Sequence, residues 1–193
     1  IGALWADHAY AGETTGFSGF TVRSLQTVYG PEEGAIEHEP DNDMLDVHIS
    51  TAWLADAVVE ARFHNPYPTN DGGWSPGFLL RNSVYGVHVI GIISGGYWYH
   101  YVRPDTSVPW EQMQYTFSKH ITTSPSGSNS LRVIALADEG WLFINGAYVS
   151  ELDLSEWPMP GYISALNNYF SDNGIAGKST NFDGFVVWSV GTE

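Results

Sequence analysis

Cysteine is missing from the 193 residues, and Lys and Arg together number seven against 22 Asp and Glu. The lack of cysteine excludes disulfides, thiolate catalysis and Cys-ligated zinc or iron–sulfur sites. The shortage of basic groups leaves a formal charge of −15. That balance argues against nucleic acid and anionic membranes as partners, since both demand clustered Lys and Arg. A neutral or cationic ligand is compatible with it. No apolar run reaches the roughly 18 residues of a membrane span, so membrane insertion is not expected. No signal peptide is visible. The chain starts at Ile1 and not at Met, so it reads as a processed or excised product. Acidic and free of thiols, it is expected to be secreted or displayed on a cell surface.

Catalytic spacings are equally scarce. The seven His residues form no H-x-H or H-E-x-x-H, so no zinc spacing occurs. No G-x-S-x-G elbow marks a serine nucleophile, and no Gly-rich phosphate loop is present. Helices are absent too, because no segment of helical length carries a 3.6-residue apolar period.

Aromatic residues, by contrast, are abundant, with eight Trp, eleven Tyr and nine Phe. The strongest local signal is Asn145-Gly146 between two β-prone runs, Trp141–Ile144 and Ala147–Leu154. Both central residues of a type I′ turn need positive φ, which Asn and Gly tolerate, so the pair predicts a hairpin. Alternation predicts further strands: a half-buried one at 45–50, then 57–64, 77–82, 85–94, 97–103, 110–120, 131–136, 162–170 and 182–190. Phe20–Tyr29 is a candidate first strand, and Pro31–Asp43 reads as an acidic loop with room for a short strand near Ala35–Glu37. Many short strands with turns every 8–12 residues define an all-β sandwich or barrel. The organisation expected is an N-terminal extension over 1–19 and a single β-sandwich domain over 20–193.

In order, Val58–Pro66 (VVEARFHNP), Gly77–Asn82 (GFLLRN), Ser130–Val133 (SLRV), WLFINGAYV from Trp141 and Asp183–Val190 (DGFVVWSV) resemble one family. These pieces are similar to the concanavalin A-like jelly-roll domains, and most similar to the laminin-G-like and glucanase-like modules of bacterial extracellular and surface proteins. The resemblance implies a two-sheet antiparallel jelly-roll β-sandwich. Such folds host lectins, carbohydrate-binding modules, hydrolases and purely structural domains. It further implies a structural Ca²⁺ position at Asp183, where the closing strand begins. Asp41 and Asp43, flanking Asn42, offer a second oxygen-rich loop for the same ion.

Sandwich glycosidases need two carboxylates about 5–5.5 Å apart if retaining and about 6.5–9.5 Å apart if inverting. The E-x-D-x-x-E strand signature is absent. Glu37-His38-Glu39-Pro40-Asp41-Asn42-Asp43 spaces its acids alternately but is broken by Pro40, and the last position is not Glu. Glu60 and Glu111 are the best remaining catalytic pair. The leading expectation is a non-catalytic, lectin-like binder of a glycan or polysaccharide. The competing readings are a surface subunit that self-associates or attaches to a larger protein through its N-terminal arm, and a divergent hydrolase.

Sugar recognition directs attention to exposed aromatics with polar neighbours. In Tyr97-Trp98-Tyr99-His100-Tyr101, alternation puts Trp98 and His100 on one face and the three Tyr on the other. One row or the other is a candidate platform. Trp74, at the tip of Asp71-Gly72-Gly73-Trp74, and Trp110, after Val108-Pro109, are candidates because a loop Trp is costly to leave wet without use. Arg81 and Asn82 would supply hydrogen-bond donors beside them.

Overall fold

A computed structural model describes residues 24–39, 46–105, 107–167 and 174–191. The Asn145-Gly146 turn takes the predicted left-handed geometry, with φ of 52° and 80°. It joins β9 (Glu139–Ile144) to β10 (Ala147–Asp153), which pair antiparallel. Among the described residues ten more strands precede and follow this hairpin: β1 (Ser24–Glu37), β2 (Asp46–Leu54), β3 (Ala57–His64), β4 (Gly77–Asn82), β5 (Val87–Ile93), β6 (Tyr97–Arg103), β7 (Glu111–Phe117), β8 (Ser128–Leu136), β11 (Gly161–Asn167) and β12 (Ser179–Gly191). All pairings are antiparallel.

The strands form two six-stranded sheets, ordered β1-β12-β3-β8-β9-β10 and β2-β11-β4-β5-β6-β7. This is the jelly-roll sandwich expected from the sequence. The core lies between the sheets, where Val59, Ala61, Phe63, Leu131, Val133, Leu142 and Ile144 face Phe78, Leu80, Ile90, Ile92, Trp98 and Ala165. Trp141 and Phe143, on the opposite side of β9, are buried with Val58 and Ile134 on the far face of the first sheet. That strand is therefore apolar on both sides because it is buried on both.

Two strands differ from the sequence reading. The strand allowed near Ala35–Glu37 is present but longer: Pro31–Glu37, read mainly as loop, is the second half of β1, which pairs with β12 across three register shifts. Proline is tolerated there because β1 is an edge strand whose outer side needs no ladder hydrogen bonds. On β2 the alternation runs in reverse, turning Val47, Ile49 and Trp53 outward and Asp46, His48 and Ser50 inward. The inward polar groups are satisfied: Ser50 Oγ donates to Ile163 O at 2.5 Å, and Asp46 accepts from Glu39 N at 3.1 Å. Ile49 is left 65% exposed. The expected extension over 1–19 lies outside the described residues.

Candidate functional site

β4 sets the geometry of the site. Phe78 and Leu80 point into the core and Leu79 outward. Regular alternation would turn Arg81 outward as well, but its φ of 55° leaves the β region and directs the guanidinium under the adjacent loops. A non-Gly residue in that region costs about 1–2 kcal/mol, offset here by hydrogen bonds. Arg81 is 1% exposed. Its Nε donates to Ala55 O at 3.0 Å, Nη1 to Leu154 O and Trp157 O at 3.2 Å each, and Nη2 to Ala137 O at 2.5 Å. Burial pulls its pKa below the usual value, and Asp56 and Asp138 oppose that shift. A Cβ at Gly161 would stand 2.2 Å from the Arg81 carbonyl carbon, so glycine alone permits this approach of β11.

The loop between β10 and β11 is held from a second direction. Trp157 Nε1 donates to Arg81 O at 3.0 Å, and Trp157 O accepts from His88 Nε2 at 3.0 Å. The indole lies against Gly86, where a Cβ would meet Trp157 Cδ2 at 2.6 Å. Because a carbonyl only accepts, His88 carries its proton on Nε2 and its Nδ1 is bare. His100 Nε2 then donates to His88 Nδ1 across 3.0 Å, leaving His100 Nδ1 without a partner in the core. Desolvation lowers both imidazoles, His88 to about 4 and His100 to about 3.

These clamps frame an open groove of about 560 Å³ on the second sheet. Tyr162 stands between Trp53 and Asn82, being the register partner of both. The Trp53 and Tyr162 rings meet edge to face, with centroids 4.7 Å apart and planes at 84°. They are 49% and 43% exposed. The far wall is the β4–β5 turn, where Ser83 Oγ accepts from Tyr85 N at 3.1 Å and Gly86 N at 3.2 Å. That turn lifts Val84 and Tyr85 into solvent. Trp157, Met159 and Pro160 complete the lining, which contains no charged side chain.

Of the residues anticipated from sequence, Asn82 alone lines this groove. Arg81 lies beneath it and holds the loops. Trp74 is corrected from exposed loop tip to core: it is 1% exposed, with Nε1 donating to Tyr67 O at 3.3 Å. Trp98 and His100 are likewise interior, on the inward face of β6. The opposite row, Tyr97, Tyr99 and Tyr101, turns outward; Tyr97 stacks on Tyr115 at 5.2 Å and 20°, while Tyr99 is buried with Leu79 and Val89. Trp110 is 36% exposed, with the Arg103 guanidinium 5.8 Å from its ring.

The Glu60–Glu111 pair does not assemble. Glu60 lies on the far face of the first sheet, bound by Arg132 Nε at 2.8 Å and Nη2 at 2.6 Å, whereas Glu111 sits on the edge strand of the second sheet. Packed sheets stand about 10 Å apart, so no water or sugar can be shared between them. Asp183, anticipated as a calcium ligand, pairs with Arg62 Nη2 at 2.9 Å and stands 2.7 Å from His64 Nε2. Among the described residues no cluster of three His, Asp or Glu could hold a metal; Asp41 and Asp43 lie outside them.

Trp53, Tyr85, Trp157 and Tyr162 were not singled out from the sequence. The available signal was phase and turn chemistry: Trp53 continues the outward series Val47, Ile49, Thr51, and Pro158 and Pro160 just after Trp157 mark a loop.

No protein-family model matches the chain, and no curated protein matches it. Solved structures do. A carbohydrate-binding module, CBM66, from Bacillus subtilis superposes with a TM-score of 0.56 at 11% identity, over 86% of this chain and 95% of the module. A laminarinase from Flavobacterium sp. UMI-01 gives 0.54 at 12% identity, over 82% and 79%. The β-fructofuranosidase of Aspergillus kawachii gives 0.57 at 12% identity; 88% of this chain is covered, but only 28% of that enzyme. The fold is thereby the concanavalin A-like lectin and glucanase jelly roll.

Proposed function

We propose that this protein is a non-catalytic carbohydrate-binding module that takes a neutral glycan in the groove of Trp53, Tyr162, Asn82 and Tyr85. The carrying observation is the exposed Trp53–Tyr162 pair with Asn82 directly opposite Tyr162 on the next strand. Sugar rings present flat C–H patches to aromatic faces and hydroxyls to amides, and this row offers both within adjacent strands about 4.8 Å apart. The uncharged lining disfavours uronic or sulfated sugars, whose anions would find no cation there. The net charge of −15 acts in the same direction at long range. Buried clamps at Arg81 and His88 keep the walls in place before a ligand arrives, which limits the ordering cost of binding.

The likeness to a carbohydrate-binding module along nearly its whole length supports this reading. A glycan binder of this kind works outside the cell or on its surface. Among the described residues no helix is long and apolar enough to cross a membrane. The test is retention of the purified protein on a panel of insoluble polysaccharides and a glycan array. Specific retention lost in Trp53→Ala and Tyr162→Ala is expected; retention of no glycan, or retention unchanged in both variants, rules the groove out.

A further inference from the structure

The rings that line the groove also restrict the shape of what can lie on them. Trp53, Tyr162 and Asn82 stand abreast on β2, β11 and β4. Two inter-strand steps of about 4.8 Å make this row about 10 Å long, enough for a short stretch of chain only. Within it the two aromatic planes cross at 84°, with centroids 4.7 Å apart. Edge-to-face contact is a preferred arrangement of aromatic pairs. It leaves the free ring faces as two sides of a corner, which cannot form one flat shelf.

The walls stand above this corner and are braced. Val84 and Tyr85, in the β4–β5 turn, are 75% and 69% exposed. Ser83 locks that turn: its N donates to Gly86 O at 2.9 Å, and its Oγ accepts from Tyr85 N and Gly86 N. The Trp157 indole lies against Gly86 and donates to Arg81 O, so the turn and the β10–β11 loop hold each other. A broad flat surface meets the turn before it reaches the rings.

Resting on the glycan reading of this groove, we propose that it takes a single isolated chain whose successive sugar units turn steeply against one another. Units stacked on Trp53 and on Tyr162 must have nearly perpendicular mean planes, because the rings do. A ribbon chain such as a β-1,4-linked glucan keeps its successive planes nearly parallel, and crystalline packing of ribbons makes a broad flat face. The groove therefore selects against both. Asn82, opposite Tyr162, is placed to bond a hydroxyl of the unit stacked there.

Titration calorimetry of the full chain with soluble amylose, inulin and a soluble β-1,3-glucan, as turning chains, and with cellohexaose, as a ribbon, tests this. Depletion assays on microcrystalline cellulose and chitin accompany it. Expected are micromolar binding of at least one turning chain, at least tenfold weaker binding of cellohexaose, and no depletion by either solid. Trp53→Ala and Tyr162→Ala should each weaken the turning chain at least tenfold. If either variant does not fold, the wild-type ranking of ligands decides the matter. Depletion by a crystalline solid, or cellohexaose bound as tightly as any turning chain, with the binding lost in Trp53→Ala, overturns the shape selection and leaves the groove a glycan site. Binding of no turning chain also overturns it, and the wider polysaccharide panel and glycan array then show whether the glycan reading falls as well.

Discussion

Arg81 and His88 end on the same atom: the carbonyl oxygen of Trp157 accepts from Arg81 Nη1 at 3.2 Å and from His88 Nε2 at 3.0 Å. One residue comes from the last turn of β4 and the other from β5, and together they fix the loop that floors the groove. Removing the guanidinium leaves the Ala55, Leu154 and Ala137 carbonyls short of a donor as well. A buried unsatisfied polar group costs about 1–3 kcal/mol. Arg81→Ala is therefore expected to lower stability by about 3–5 kcal/mol in urea denaturation. Arg81→Lys, with a single donor centre in place of the fork, should recover less than half of that loss.

Aromatic substitutions should divide by the direction in which each ring points. Trp53→Ala removes an exposed ring and is expected to weaken glycan binding at least tenfold, about 1.4 kcal/mol, with midpoint stability little changed. Trp74→Ala opens the core beside Tyr67 and should cost about 3–5 kcal/mol of stability. In a chain of this size that is roughly a 10 °C fall in Tm. Paired differential scanning calorimetry and affinity electrophoresis separate the two outcomes. A Trp74→Ala protein that kept its Tm would contradict the burial described above.

Why the sequence led to Trp74 and not to Trp53 has a physical answer. The Asp71-Gly72-Gly73-Trp74 segment is a polar loop, and a loop tryptophan looks exposed until the fold closes over it. Tyr67, His38 and Thr180 lie in the same buried polar network, with His38 Nδ1 3.0 Å from Tyr67 Oη and Nε2 2.9 Å from Thr180 Oγ1. Those partners are remote in the chain. On β2 the period-2 pattern was legible but its phase was not, since alternation alone does not say which side faces the core. The hairpin at Asn145-Gly146, the closing strand and the two-sheet class were readable because turn chemistry and alternation are local. Arg81 stands out in the sequence only as a hydrogen-bond donor. The left-handed φ that buries it depends on the close passage of Gly161 and is invisible to strand patterning.

Acid should unfold this protein through its buried imidazoles. Desolvation holds His38 and His88 at about 4 and His100 at about 3, against an ordinary value of 6.5. The folded state therefore binds fewer protons than the unfolded chain between pH 6.5 and those values. Stability is full above about pH 6.5 and falls as pH drops through that window. One unit of difference is worth about 1.4 kcal/mol, so by pH 4 the combined loss is on the order of several kcal/mol. Urea midpoints measured from pH 8 to pH 4 should be flat at the upper end and decline below pH 6.5. In His100→Phe the decline should be shallower, because one unfavourable protonation is gone. A midpoint that rises on acidification contradicts neutral buried imidazoles.

Two glycines provide the sharpest separation between turn geometry and site geometry. Gly146 has φ of 80° and nothing within 4 Å of where a Cβ would stand, so Gly146→Ala strains only the backbone. Its expected cost is about 1–2 kcal/mol, with glycan retention intact. At Gly161 a Cβ would meet the Arg81 carbonyl oxygen at 2.4 Å and Asn82 N at 2.6 Å. These are backbone atoms of the neighbouring strand and cannot swing aside. Gly161→Ala must push β11 away from β4, separating Tyr162 from Asn82 and loosening the loop that Arg81 holds. We expect that variant to lose glycan retention altogether and to unfold at a lower urea concentration than Gly146→Ala. Equal midpoints for the two variants, with retention preserved in Gly161→Ala, would show that the close approach of β11 to β4 has no part in building the groove.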